Sequence, residues 1–288
     1  MRGLLVAIAA VIPACLPAPT RPPITLTYLG VAGWQIDSGA VTILTDPYYS
    51  RPNLDGSGAV EPDVAAIAAH APAHADAILV GHSHVDHLLD APAVVLRTGA
   101  QIIGSASTAR VAKASGVPAD HIVAIRGGED YDFGAFSVRV IPSLHSALDH
   151  KHGGELREIP RDVAVPLTFD QYAEGGTFAY LVRVGGHQIA VLDTANFIER
   201  ELAGIHPDIA IIAPGLREEI YDYTCRILHA LGDPPLVFAT HFDDWRAAAR
   251  DEAPDDDLAA FAKEVATCSP HTKLVIPKHF EPNRVGPT

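Results

Sequence analysis

The sequence predicts an α/β protein built as a layered sandwich, and three observations carry that expectation. Short β segments crowd the start of the chain. Strand signals followed by helix signals recur loosely in each half, the order expected of sheets packed between helices. Several apolar runs stop abruptly at a histidine or an aspartate. With 288 residues, 48% of them hydrophobic and 19% charged, the chain can bury one large core. Its aromatic share is only 7%, so Ala, Val, Leu and Ile should fill most of that core.

Residues 24–29, 33–36 and 41–45 are β segments separated by Gly, Asp and Ser, which reads as an antiparallel meander. Residues 77–80 form a short apolar strand that ends at Gly81. Residues 88–96 have a helical pattern, and a strand at 101–103, a helix at 107–114 and a strand at 122–125 follow. Residues 136–140 alternate strictly and run through Ile141 into Ser143-Leu144-His145. Residues 149–176 hold charges, prolines and glycines without a sustained period, the mark of a long loop or lid. Strands at 180–184 and 188–192 flank Gly185-Gly186, a hairpin signal, and the second stops at Asp193. A strand at 208–212 leads to Pro214-Gly215, and residues 217–231 are helical in pattern. A strand at 236–239 leads to His241, residues 258–266 are helical, and residues 273–276 form the last strand. No repeat of fixed period is present.

The formal charge is −14, from 35 Asp and Glu against 21 Lys and Arg, and no basic run is long enough to track a phosphate backbone. That excludes nucleic acid as a partner and leaves a small-molecule substrate; it says nothing of oligomeric state. At the start, Met1-Arg2 precedes an uncharged, mostly apolar stretch that ends at Ile12-Pro13-Ala14-Cys15. It is about half the roughly 20 residues a spanning helix needs, so residues 1–18 read as an export signal and residues 19–288 as one domain. Ile12 to Cys15 resembles a lipobox, which would place a lipid anchor on Cys15 and the protein in the periplasm or on a membrane. Ordinary cleavage near Ala14 or Ala18 is the alternative. Export leaves Cys225 and Cys268, an even number in an oxidising compartment, either paired or separately buried.

His82-Ser83-His84-Val85-Asp86-His87 puts three imidazoles and a carboxylate within six residues, directly after a strand and a glycine. Such a turn can aim alternate side chains at two neighbouring cations. Three more candidates stand at strand ends: His145, Asp193 and His241. Five imidazoles and two carboxylates suffice for two borderline-soft cations, zinc above all, with manganese and iron as alternatives. The expected division is His82, His84 and His145 on one cation, Asp86, His87 and His241 on the other, and Asp193 between them. His279 competes with His241 for the last place, since it too follows a short strand.

HxHxDH followed by a distant His, Asp and His resembles the metallo-β-lactamase superfamily. Residues 24–30 and Leu44-Thr45-Asp46-Pro47 resemble its branch of L-ascorbate-6-phosphate lactonase and N-acylphosphatidylethanolamine phospholipase D type enzymes. The resemblance implies a four-layer αββα sandwich with the metals at one edge, and an Asp46 that supports the metal histidines from behind. Zinc β-lactamases generally lack an aspartate like Asp193, so the expected activity is hydrolysis of a lactone or related ester rather than of a β-lactam. A phosphodiesterase acting on a small or lipid-like substrate is the nearest variant. A catalytically idle metal- or ligand-binding lipoprotein is the reading from another class.

In the hydrolytic reading Asp86 is also catalytic, orienting the attacking hydroxide and moving its proton. Tyr48, Tyr49, His152 and Tyr172 are candidate substrate contacts, with Asp243, Asp244 and Trp245 as further pocket walls. Lys151, Arg157 and Arg161 would receive an anionic substrate.

Overall fold

Alternation along the strands sorts the apolar side chains into three cores, and the three cores define four layers. A computed structural model describes residues 21–54, 58–148, 157–247 and 255–286. The expected export signal at residues 1–18, with Cys15, and Lys151 and His152 lie outside the described residues.

The first sheet contains β1 (Ile24–Gly30), β2 (Gly33–Asp37), β3 (Thr42–Thr45), β4 (Ala77–Leu79), β5 (Gln101–Gly104) and β6 (Ile122–Ala124), edged by the late strand β14 (Pro282–Val285). Its order is β14-β1-β2-β3-β4-β5-β6, antiparallel through β3 and parallel from β3 to β6. The second sheet contains β7 (Asp130–Asp132), β8 (Phe136–Pro142), β9 (Phe178–Val184), β10 (His187–Leu192), β11 (Ile209–Ile212), β12 (Leu236–Ala239) and β13 (Lys273–Val275). Its order is β13-β12-β11-β10-β9-β8-β7, with β10 to β13 parallel.

Successive side chains of a strand face opposite ways, and the burial follows that rule. Leu26, Trp34, Ile43 and Leu79 of the first sheet meet Val138, Val182, Val191 and Ile211 of the second in the central core. Leu44, Ile78 and Ile102 face outward and are covered by α1 (Val64–His70), α2 (Val85–Leu88), α3 (Ala91–Thr98) and α4 (Ala106–Ala114), among other segments. Leu181, Ala190, Ile212 and Val237 face the other way, under α5 (Tyr223–Ala230) and α6 (Asp256–Cys268). This is the αββα sandwich. Among the described residues no helix is long and apolar enough to cross a membrane.

Several local expectations change. The helical pattern at 88–96 is two helices, the single turn Val85–Leu88 and then α3, because Pro92 in the first turn starts a new helix. The pattern at 217–231 is broken at Asp222, whose φ of 47° no helix continues through. The helix Val64–His70, capped by Asp63, and the strands β7 and β14 carry no clear period and were not expected. Cys225 and Cys268 are paired, their Cα atoms 4.9 Å apart, and join α5 to α6.

Residues 157–176, the described part of the long loop, are tied down at several points. Val60 N donates to Leu167 O, Ile159 N to Ser107 Oγ, and Ser83 N to Glu174 O, at 2.7, 2.9 and 2.8 Å. They form a wall over the sheet edge beside the histidine turn.

Candidate metal centre

β4 is buried on both faces and runs out through Val80 into Gly81, where the chain must pass close to the second sheet. A Cβ on Gly81 would overlap the Asp193 carboxylate, so glycine is required by close approach rather than by backbone dihedral. Gly81 N donates to Asp46 Oδ1 at 2.8 Å. Beyond it the turn His82 to His87 is pinned by a buried hydroxyl cluster, with Ser83 Oγ 2.9 Å from Ser105 Oγ and 3.1 Å from Thr108 Oγ1. His145, Asp193 and His241 arrive from the ends of β8, β10 and β12 across the sandwich.

The structure brings these side chains together. His82, His84 and His145 form one group of donor atoms within 4.8 Å of one another, and Asp86, His87 and His241 form another. His82, His87 and Asp193 form a third that links the two, so Asp193 lies between them. Asp193 Oδ2 is 3.1 Å from His82 Nδ1 and 3.3 Å from His87 Nδ1. Asp86 Oδ2 is 3.3 Å from His241 Nε2 and 3.5 Å from His87 Nε2. His279 is not part of the cluster. It contacts Asp243 instead, and His241 takes the place that the two histidines contest.

The donors fit a divalent cation pair. The fully buried His87 ring has only carboxylates 3.3–3.5 Å from its nitrogens and no well-formed hydrogen bond, an arrangement that a cation on a ring lone pair would satisfy. His82 Nε2 and His84 Nδ1 face each other at 3.1 Å. His145 Nδ1 donates to Ser146 O at 2.9 Å, which leaves Nε2 as a free acceptor. Protonation states suit ligation as well. Burial pushes Asp86 and Asp193 up, but the histidines around them outweigh it and hold both well below the usual carboxylate range. Burial holds His82 and His145 below the usual imidazole value. Burial alone would do the same to His87, but Asp86, Asp46 and Asp193 raise it well above that value. The negative field that holds a proton there would equally hold a cation.

Behind the cluster lie supports of two kinds. Asp46, with φ of 36°, stands 3.5 Å from His87 Nδ1, and burial raises its carboxyl to about 6. Asp90 accepts from Tyr49 N at 2.6 Å, Ser50 N at 2.8 Å and the Ser50 hydroxyl, and so fixes the segment that follows Asp46. On the other side, Asp243 accepts from Tyr28 Oη at 2.7 Å, Val31 N at 2.8 Å, Arg51 Nη2 at 2.7 Å and His279 Nε2 at 3.0 Å. His241, at φ of 51°, donates its N–H to Val31 O at 2.6 Å. Two residues apart, Asp243 and His241 thus knot three chain segments into the last donor. Asp90 and the Asp243 knot were not anticipated. The available signal for Asp90 was a lone carboxylate inside Leu88-Leu89-Asp90-Ala91, because a charge in an apolar run must find donors.

The comparisons agree with this architecture. Residues 25–215 match a family described as a beta-lactamase superfamily domain. The chain belongs to the metallo-β-lactamase superfamily. It is 29% identical over 252 residues to a UPF0173 metal-dependent hydrolase of Heliobacterium modesticaldum, covering 83% of this chain and 89% of that one. In structure it resembles Igni18, a metallo hydrolase from Ignicoccus hospitalis, with a TM-score of 0.62 at 16% identity over 91% of this chain and 98% of the other. It also resembles CmlA, a diiron β-hydroxylase from Streptomyces venezuelae, with a TM-score of 0.62 at 15% identity over 94% of this chain and 55% of the other. At such identities the likeness concerns the metallo-β-lactamase fold alone.

A cavity of about 890 Å³ opens over the cluster of this metallo-β-lactamase-fold protein. Tyr172 and Arg157 line it, as does Trp245. Tyr48 and Tyr49 are a correction: unlike Tyr172, neither lines the cavity, and both pack in the outer core instead. Their position just after Asp46 points them under the histidine turn, not over it. Asp243 reaches the cavity but is spent on its four donors, and Asp244 and Arg161 do not line it. Of the remaining histidines, His121 and His187 donate to backbone carbonyls of Ala100 and Pro22, and His70 stacks on Phe280.

Proposed function

We propose that this protein is an exported, metal-dependent hydrolase that cleaves a lactone or related ester with two divalent cations, zinc by the character of the donors. The observation that carries the reading is the pair of triads joined through Asp193 at the floor of a cavity. His82, His84 and His145 would hold one cation, Asp86, His87 and His241 the other, with Asp193 shared. Bound there, the cations supply hydroxide near neutrality by lowering the pKa of water from 15.7 to about 7.

The chain's own contribution follows from its geometry. Asp86 is 8% exposed, anionic, and faces both His87 and His241, so its free lone pairs can orient the attacking water and carry a proton to the leaving oxygen. Asp46 stands against the ring of His87 from behind, and the Asp243 knot holds Val31, whose carbonyl fixes the His241 backbone. The cavity walls keep bulk water from the reacting bond. Export is supported by the Cys225–Cys268 disulfide, a bond that persists in oxidising compartments.

The test is metal content of the purified full chain together with turnover of a lactone, an aryl ester and a bis-aryl phosphodiester. Two equivalents of zinc with turnover of the carboxylic substrates is the expected result. Fastest cleavage of the phosphodiester would replace the substrate, and two equivalents with no turnover would leave the idle binding protein.

A further inference from the structure

Away from the metal cluster, the cavity is mostly apolar and its charges are mostly negative. Rings and aliphatic side chains enter from four separate segments: Phe169 and Tyr172, Phe242 and Trp245, Leu216, and Leu258 at the start of α6. Phe169 and Trp245 stack at 6.0 Å and 20°, joining the wall of residues 157–176 to the His241 loop. Leu148 and Leu216 line the cavity yet are 38% and 41% exposed, a pair of large side chains left in water at its mouth. Apolar surface of this kind in a cleft is where ligand bodies are buried.

The polar lining outside the metal group points the same way. Asp170, Asp255 and Asp257 contribute carboxylates, whereas Arg157 is the single cationic side chain lining the cavity among the described residues. The Arg157 guanidinium donates to the Asp170 carbonyl at 3.0 Å. Asp257 is engaged by Arg217 at 2.6 Å, and Asp255 caps Leu258 N at 2.8 Å, so these acids are held in place. Among the described residues, an anionic group carried into this part of the cavity would meet more carboxylates than cations, on a chain whose net charge is −14. That disfavours it wherever water is partly excluded.

We infer that the substrate is an ester or lactone whose non-reacting body is hydrophobic and bears no negative charge, laid across the Phe169–Trp245 pair. This rests on the hydrolytic reading above and narrows it. Hydrolysis adds water across the acyl bond: its oxygen joins the acyl carbon, the bond to the leaving oxygen breaks, and the proton goes to that oxygen. The walls recognise the acyl chain, and the acidic lining rejects an acyl chain that ends in a carboxylate or phosphate.

The experiment uses the zinc-loaded full chain and three aryl esters with one leaving group: acetate, hexanoate and the half-ester of adipate, which matches hexanoate in length but ends in a carboxylate. Hexanoate should exceed half-adipate in kcat/KM by about tenfold or more. It should exceed acetate by up to roughly fourfold for each methylene that is buried. Trp245→Ala and Phe169→Ala should compress the hexanoate-to-acetate ratio, and Asp170→Asn with Asp255→Asn should narrow the gap to half-adipate. Equal or faster turnover of half-adipate overturns the inference, as does a chain-length ratio that neither aromatic variant moves. A binding arm separates this from the chemistry: methyl hexyl ketone and its ω-carboxylate are titrated by Trp245 fluorescence, Trp34 being fully buried. Preference for the ketone without turnover of any ester keeps the hydrophobic, uncharged ligand body and overturns the hydrolase. Equal binding of the two overturns the inference alone.

Discussion

The two halves of the metal cluster are built by different means. His82, His84, Asp86 and His87 come from one six-residue turn after β4, whereas His145, Asp193 and His241 come singly from the ends of three strands in the other sheet. The first half is held from within residues 46–108, by the Gly81 amide on Asp46, the Ser83 hydroxyl cluster and the Asp90 carboxylate. The second half has no local motif. Its donors are placed by strand register and, for His241, by the half-buried Asp243 carboxylate bonded to residues 28, 31, 51 and 279. A contiguous turn tolerates loss of a distant contact, while a donor set assembled from separate strands does not.

Asp193 is where the halves meet, and its replacement should have the largest effect. Asp193→Ala is expected to lose both equivalents of metal and all measurable turnover, whereas His84→Ala retains one equivalent. Metal analysis of the two variants decides it, and a full complement in Asp193→Ala would mean that the halves act independently.

The next effect separates fold from site in the second half. Removing the disulfide with Cys225→Ser frees a loop closed across a sequence separation of 43 residues, worth about 4 kcal/mol by chain entropy. Denaturant unfolding should report a loss near that size. Metal content should stay at its full value, because α5 and α6 supply none of the seven donors.

A pH dependence sharpens the first half. Burial raises the Asp90 carboxyl from 3.8 to about 6. The folded state therefore binds more protons than the unfolded state between those values, so stability is lost as pH rises from about 4 to about 6. The contribution is on the order of 3 kcal/mol. Asp90→Asn should abolish that slope in unfolding free energy, and an unchanged slope would assign it to other groups.

The smallest expected effect tests the knot. Asp243→Asn should weaken one cation by roughly 10- to 100-fold, as loss of a ligand's supporting contact does, and His279→Gln by less. Titration calorimetry on the apo protein should resolve two affinities, of which only the one that depends on His241 moves. If His279→Gln removes an equivalent outright while His241→Ala keeps both, His279 is the ligand.

The contrast also explains what was legible before the structure. A period of two places side chains on alternate faces wherever a strand lies, so the strands flanking the cluster could be read from residues 136–140 or 188–192 alone. The spacing of His82, His84, Asp86 and His87 is short enough for one turn to determine their neighbourhood. Tyr48 and Tyr49 misled, because their nearness to Asp46 in sequence says nothing of which side of the histidine turn they occupy. Asp90 and Asp243 escaped because their partners lie 40 or more residues away, or in several segments at once.

By itself, then, the sequence determined the layered fold, the local metal turn and two of the three distant donors, His145 and Asp193, because each was written in a periodicity or a strand end. Only the tertiary structure decided between His241 and His279. Both follow a strand, and the Asp243 carboxylate can draw one histidine away only when the chain has brought them together. The character of the cavity belongs to the same class, since its walls come from segments that share no sequence neighbourhood.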